Sequence, residues 1–402
     1  MTDYNQIGPN QEIYTTGLIY DLKSTFALFL RVIDTRKARG KQYLLETLLV
    51  LILLAKLGGE DKPTGITEWV ANRVDELVAM NILPQGKAPC HMTFRRILRF
   101  TLQAEELEHL VSEFHQSQLK EGTEIVFCID GKTLKGTIPT GEMRGTHLLS
   151  VYVPDQGLVL IEAEVDRKEN EIVVAPKILK QVNLSGAIVI GDALHTQRNL
   201  SEQIVQAGGN YVWTVKGNQP RAEWAIEKLF VHEACNLKQG ASLSKEIRTA
   251  SLVSKGHGRR EKRTLWTSTE LNDYLDWPGV KQVFRLEKII WHEKYQGYTR
   301  DVVYGLTSLS PEQASPKKLI QLLRSYWGIE SGLHYRRDVT LHEDDTRLTL
   351  GQAGHNMAIL NNLVIGLCIR NGFTNLAQAR RLFNAKPAEA LKLILQGKFL
   401  SC

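Results

Sequence analysis

The sequence is short of cysteine and of long apolar runs. Its 402 residues include five cysteines, Cys90, Cys128, Cys235, Cys368 and Cys402, an odd number, widely scattered and without a C-x-x-C pair. That excludes a disulfide framework and a cysteine zinc site, and it suits a reducing compartment. The longest uninterrupted apolar run, Leu48 to Ala55, is far short of the ~20 residues that span a bilayer, so it is expected to be a buried helix and no membrane partner is expected. The opening "MTDYNQIGPNQEIY" lacks the basic start and apolar stretch of a signal peptide, and a cytoplasmic location is expected. No G-x-x-x-x-G-K-[ST] loop is present, which argues against a nucleotide cofactor. Internal repeats and low-complexity tracts are also missing.

What is present is ordinary globular composition, 43% apolar and 23% charged, on a chain long enough for roughly two or three domains. The formal charge of +6 permits a polyanionic partner without requiring one.

Periodicity divides the chain. From about Tyr43 to Lys120 apolar residues recur at helical spacing, giving an all-helical unit. At Glu124 the pattern changes to short strands at Ile125–Ile129, Leu148–Val153 and Leu158–Val165, the last two joined by the turn-like "PDQG" of an antiparallel hairpin. "ENEIVVAPKILKQV" predicts a helix, "GAIVIGDAL" a fourth strand, "TQRNLSEQIVQAG" a helix and "NYVWTVKGNQ" a fifth strand. This order predicts a mixed sheet flanked by helices. From about Arg221 to Pro316 strands dominate again, a segment too long for a loop and expected to be an inserted subdomain. A helix, "SPKKLIQLLRSYWGIESGLHYRR", and a helical carboxy-terminal stretch follow.

Two apolar strands end in an acid. "VFCID" runs into Asp130 and "IVIGD" into Asp192, and ligands of such sheets sit at the carboxyl ends of strands. Neighbouring carboxylates resist joint ionisation unless a divalent cation lies between them. A third acid is placed by helical phase: Glu330 shares a stripe with Leu319, Leu323, Tyr326, Leu333 and Arg337 and is expected to face the sheet rather than water. Three converging carboxylates hold hard cations, and two Mg²⁺ ions would serve an in-line phosphoryl displacement. Each acid has a plainer reading. Asp130 before Gly131 suits a turn, Asp192 suits a helix N-cap, and Glu330 suits a salt bridge. Glu343, Asp344 and Asp345 compete for the third position from a segment that reads as a solvated loop.

The blocks "IDGKTLKG", "IGDALHTQ", "YVWTVKGNQ", "KGHGRREKR" and "YWGIESGLHYRRDVTLHEDDTR", in this order, resemble the DDE transposases of bacterial insertion sequences, and among them the ISAs-type group that includes the H-repeat-associated proteins. The resemblance runs from roughly Pro89 to Arg347. It implies an RNase H-like core with Asp130, Asp192 and Glu330 as the metal-binding acids and a β-rich insertion before the last of them. Arg337 falls at the family's basic position seven residues after the glutamate, and Trp327 at the aromatic three before it. The wider superfamily has a tyrosine seven residues before the glutamate and an arginine four before it; here those positions are Leu323 and Tyr326.

Candidate DNA contacts follow. Lys132 and Lys135 lie just after the first acid, and Lys216, Asn218 and Gln219 after the fifth strand. "KGHGRREKR" offers Lys255, His257, Arg259, Arg260, Lys262 and Arg263 around glycines that permit close backbone approach. "PCHMTFRRILRF" clusters Arg95, Arg96 and Arg99 on a helix that either reads a major groove or simply packs.

The expected protein is an α/β chain: an RNase H-like mixed-sheet catalytic core with a β-rich insertion, a helical N-terminal domain and a helical C-terminal segment. The expected divisions are 1–120 for the helical, DNA-binding domain, 121–220 for the first part of the core, 221–316 for the insertion, 317–350 for the helix carrying the last acid and 351–402 for the C-terminal segment. The resemblance implies a bacterial, nucleoid-associated transposase that cuts and joins DNA with Mg²⁺, for which Mn²⁺ substitutes, in two-ion form. Its partners are double-stranded DNA at element ends and target, handled as a homodimer. Two rivals remain at this level: a nuclease of the same fold without strand transfer, and a DNA-binding protein that has kept the fold and lost mobility.

Overall fold

The computed structural model describes residues 10–119, 124–166, 168–238, 246–256, 258–292 and 297–397. The chain forms two compact units. One comprises Met1–Glu121, Gly131–Asp166 and Glu330–Cys402, and the other Gly122–Asp130 and Arg167–Ile329. The amino- and carboxy-terminal helical stretches thus share a unit with 131–166, where the sequence suggested separate segments.

In the first unit a small hairpin, β1 (Gln11–Ile13) and β2 (Ile19–Asp21), precedes a set of helices. The apolar run seen in the sequence is the helix Leu45–Leu57, buried along nearly its whole length. It has no polar face because its neighbours cover it all round. The helix Ala353–Arg370 is buried in the same way from Ala353 to Cys368. Strand β3 (Val126–Thr133) begins in the second unit and ends in the first. Strands β4 (His147–Val153) and β5 (Leu158–Glu164) pair antiparallel across the expected "PDQG" turn, where Gly157 takes a positive φ of 66°. Ile369 stands against that glycine, and a Cβ there would come within 2.2 Å of the isoleucine.

In the second unit β6 (Ile188–Gly191) and β7 (Asn210–Val215) follow the helices Glu171–Leu179 and Arg198–Gln206, as the alternating pattern predicts. β3 pairs β6 in parallel and β6 pairs β7 in parallel, both covered by helical crossovers. After the helix Pro220–Lys238 come β8 (Arg248–Gly256), β9 (Arg259–Ser268), β10 (Gln282–His292) and β11 (Gly297–Thr307), an antiparallel run. The strands of this unit follow the order β3-β6-β7-β11-β10-β9-β8. The insertion is therefore β-rich as expected, but it does not stand apart. β11 pairs with β7, Thr307 opposite Val212, so the inserted strands extend the sheet they interrupt. The helix Pro316–Gly328 then packs back across β6, β8 and β9. Ser315 caps it, its side chain accepting the Lys318 N–H.

Among the described residues, no helix is long and apolar enough to cross a membrane. The architecture is mixed α/β, built on a large mixed sheet with many helices.

Candidate active site

Strand alternation and register bring the first two acids together. In the parallel pair Cys128 lies opposite Ile190 and Ile129 opposite Gly191, so Asp130 and Asp192 leave adjacent strands side by side. The side chains two residues earlier show which way they face. Cys128 donates to the Ser325 carbonyl at 3.6 Å, and Ile190 lines a small cavity with Leu323 and Tyr326 of the helix Pro316–Gly328. With a period of two, Asp130 and Asp192 face that helix as well.

Asp130 is not a turn residue, because β3 continues through it to Thr133. Asp192 is an N-cap, of the short 3₁₀ turn Ala193–His195, with Oδ1 accepting the Leu194 N–H at 2.9 Å. The glycine before it is required by packing: a Cβ on Gly191 would come within 2.9 Å of Trp213 and 3.1 Å of His195. His195 is fully buried with Nε2 3.2 Å from the Glu171 carboxylate, a structural position. The turn after Asp192 is fixed from the loop that follows β7. Asn218 Nδ2 donates to the Ala193 carbonyl at 2.5 Å and Gln219 Nε2 to the Thr196 carbonyl at 2.9 Å. These two residues, read from the sequence as DNA contacts, spend their amides on that loop, while Lys216 beside them is exposed.

Sequence reasoning did not assign Tyr326 to this site. Its hydroxyl donates to Asp130 Oδ1 at 3.3 Å. Burial, and then the negative charge of Asp130 and Asp192, push the phenol well above its ordinary range, so it is a neutral donor at any physiological pH.

Glu330 differs from expectation. The α-helix ends at Gly328 and a π-helical segment, Ile329–His334, takes over. A wider turn changes the angular phase of everything after it. Ile329 and Leu333 are buried while Glu330 is exposed, so it does not lie on the inward stripe that a continuous α-helix would give. Among the described residues, no three His, Cys, Asp or Glu side chains are gathered into a group able to hold a metal ion. Within the second unit, register brings Asp130 and Asp192 together; Glu330 belongs to the first unit.

Three further expectations are corrected in the first unit. Arg337 is fully buried and meets Glu162 at 2.5 Å and Glu343 at 2.9 and 3.0 Å, so it is no DNA contact. Glu343 is not in a solvated loop: it is buried, and it also accepts from Asn361 at 2.7 Å. Beside them the Glu108 carboxyl is held well above the usual carboxylate range by burial and by Glu162. Lys132 is buried too, with Nζ 2.6 and 2.8 Å from the Asp338 oxygens, and is spent on that ion pair. Lys135 remains exposed, 3.6 Å from Asp344.

The basic segment "KGHGRREKR" is the β8–β9 hairpin; His257 lies outside the described residues. Its cations divide between two faces, because side chains alternate along a strand. Arg259 and Arg263 line a groove of about 390 Å³ with Lys255, Lys288, Arg324 and Trp327, beneath the helix Pro316–Gly328. Arg260 and Lys262 alternate with them and take the opposite face. Lys288 Nζ lies 4.0 Å over the Trp327 ring, and Arg263 is held by Glu261 at 2.5 Å. Arg263, Lys288, Arg324 and Trp327 also line the narrower apolar cavity that reaches Gly191 and Tyr326. A basic, aromatic-walled groove thus leads toward the two acids.

In the first unit Arg95 and Arg96 end the six-residue helix His91–Arg96, and Arg99 falls in a π segment, Ile97–Thr101. Arg96 is exposed, and Arg95 and Arg99 are half-buried.

Comparison with known proteins identifies the family. Residues 121–367 match the family model described as a transposase DDE domain, and residues 26–115 match one described as DDE_Tnp_1-associated. The putative protein YbfL of Escherichia coli K12 is 27% identical over 92% of this chain and 96% of its own length. The H repeat-associated putative transposase YhhI of the same strain is 26% identical over the same shares. A piggyBac transposase solved in a synaptic complex with hairpin DNA aligns at a TM-score of 0.43 and 12% identity, covering 92% of this chain and 77% of that one. The chain belongs to the DDE transposases, with relatives in the H-repeat group, and is an enzyme of that family.

Proposed function

We propose that Asp130, Asp192 and Glu330 are the catalytic acids of this transposase, on an RNase H-like core, and that they hold the divalent metal on which cleavage of DNA at insertion-sequence ends and joining to a target depend. The observation that carries the reading is the parallel register of β3 and β6, which sets two carboxylates side by side on the face that the basic groove approaches. Carboxylate oxygens are hard donors and suit Mg²⁺, with Mn²⁺ as substitute, and two ions would fit phosphoryl transfer. When bound, the metal supplies charge neutralisation for the attacking and leaving oxygens. The protein's own contribution is positioning. Asn218 and Gln219 hold the turn that follows Asp192, Tyr326 hydrogen-bonds Asp130, and the exposed carboxylate of Glu330 is open to a cation.

Double-stranded DNA is the substrate in this reading. Arg259, Arg263, Lys288 and Arg324 supply phosphate contacts from the groove, which Lys255 and Trp327 also line; Lys135 and Lys216 are further candidate phosphate contacts, each in its own unit. Arg95, Arg96 and Arg99 remain candidates for an element-end contact from the helical region. Because two ends must be processed together, the assembly on DNA is a homodimer or larger.

The test uses purified protein with Mg²⁺ or Mn²⁺ on labelled DNA carrying the element's own ends. Cleavage and strand-transfer products are expected from the parent. Asp130→Asn, Asp192→Asn and Glu330→Gln are each expected to abolish cleavage while DNA affinity stays the same or rises slightly, because a negative charge beside phosphates is removed. Near-parental cleavage by any one of them would remove that residue from the set.

A further inference from the structure

The face of the β8–β11 sheet turned away from the groove carries chemistry of its own. Register places Arg260 opposite Trp291 and Trp291 opposite Tyr298, with Lys262, Ile289 and Arg300 forming the neighbouring row. Directly paired residues project to the same side of a sheet. Trp291 and Tyr298 stack at 6.0 Å with their rings 8° from parallel. Both are exposed, by 46% and 62%, a large outlay of aromatic surface in water for a sheet that has a core elsewhere. Arg260, Lys262 and Arg300 are exposed beside them. The acid that belongs to this face, Glu287, is occupied by Arg285 and Arg300. The helix Pro220–Lys238 packs against β10 and β11 nearer the base, where Glu223 and Glu227 face Tyr304.

We infer that this outer face is a second nucleic-acid site, one that takes an unpaired DNA strand by stacking bases on Trp291 and Tyr298 and holding the backbone with Arg260 and Lys262. Charge complementarity selects a polyanion, and the aromatic pair selects its form. A ring can stack only on a base whose face is open, which duplex DNA does not offer along its length. Arg260 and Lys262 serve the outer face and Arg259 and Arg263 the groove, so these four do not compete; Lys255 at the hairpin tip, paired with Arg260 and also lining the groove, is the one cation the two share among the described residues of the hairpin. One chain can therefore contact the phosphates of a duplex from the groove while a single strand lies on the outer face. The inference goes beyond the assignment of the acids and holds whether or not they cleave.

The experiment is fluorescence anisotropy of the full chain with a labelled oligo-dT 20-mer and a labelled 20-bp duplex. Trp291→Ala with Tyr298→Ala is expected to weaken single-strand binding roughly tenfold or more, while duplex affinity changes less than twofold. Trp291→Phe with Tyr298→Phe keeps both rings and is expected to bind the single strand as the parent does, which separates stacking from damage to the hairpin. Arg260→Ala with Lys262→Ala is expected to flatten the single-strand salt slope by about 1.4, two contacts at ~0.7 each. Unchanged single-strand binding in the alanine pair, or an equal proportional loss on duplex, overturns the inference. So does a phenylalanine pair that binds as poorly as the alanine pair.

Discussion

Tyr326 donates its hydroxyl hydrogen to Asp130 at 3.3 Å, at the position where the wider superfamily carries an arginine. An arginine there would bring a permanent positive charge to the acids. A phenol brings only a hydrogen bond, and one that competes with a cation for the same oxygen. Hydrogen bonds to a charged group are worth about 1.5–3 kcal/mol, some of which must be given up when a metal takes the carboxylate.

Tyr326→Phe should therefore bind Mn²⁺ more tightly, by roughly threefold to tenfold if about 1 kcal/mol of that bond is released. Calorimetric titration of the full chain with Mn²⁺ measures it directly. Weaker binding in the variant would mean that the hydroxyl mainly orients Asp130 and does not compete for it.

Arg337 offers a sharper contrast between readings. Its guanidinium is fully buried against Glu162 and Glu343. Removing one partner of a buried pair leaves the other charge uncompensated, at a cost of about 3–5 kcal/mol. Arg337→Met should lower stability in urea unfolding by that order, and DNA affinity measured well below the midpoint should be little changed. Normal stability with lost DNA binding would restore the role suggested by its place after Glu330.

That two strands each run from an apolar stretch into an acid was legible because apolar runs, turns and strand-helix alternation are local signals; that β3 continues past Asp130 to Thr133 and pairs β6 in parallel was not. The failures were non-local or phase-dependent. The burial of Arg337 requires Glu162 from β5, 175 positions away in sequence, and no spacing rule connects them. Glu330 was misplaced because a helix with constant pitch was assumed. Glu330 is exposed while Leu333 and Arg337, which share its stripe at constant α-helical pitch, are buried, and the π segment Ile329–His334 breaks the constant pitch on which that stripe depends. The division of "KGHGRREKR" needed only the knowledge that it is a strand, since alternation then follows. Read as a charge cluster, it concealed two faces.

A pH effect comes from His115 in the first unit. Burial pushes its imidazole down to about 4, although its Nδ1–H donates to the Val159 carbonyl at 2.6 Å. The unfolded chain takes up the proton near pH 6.5, so below that pH the unfolded state binds more protons than the folded one. Stability is then full above about pH 6.5 and falls toward pH 4, by about 2 kcal/mol between pH 7 and pH 5 for this group. His334 and His355 are shifted in the same direction by burial. Urea unfolding at the two pH values should show the slope, and His115→Gln should reduce it by about the stated amount. A slope unchanged in that variant would place the acid sensitivity elsewhere.

The last prediction concerns the salt dependence of duplex binding. Counting Arg259, Arg260, Lys262 and Arg263 as equivalent phosphate contacts implies a slope change of roughly three to four units on removing all four. The structure divides them, and Arg263 is additionally held by Glu261. A duplex in the groove meets Arg259 and Arg324, which line it, and cannot at the same time meet Arg260 and Lys262 on the far side of the sheet. Arg259→Ala with Arg324→Ala should flatten the plot of log affinity against log salt by about 1.8, two contacts at ~0.9 each. Arg260→Ala with Lys262→Ala should leave the duplex slope within about half a unit of the parent. Binding should weaken similarly on all sequences in the first pair, since phosphate contacts position without specifying. Equal flattening by the two pairs would mean that duplex DNA wraps the hairpin and touches both faces, and the division between groove and outer face would fail with it.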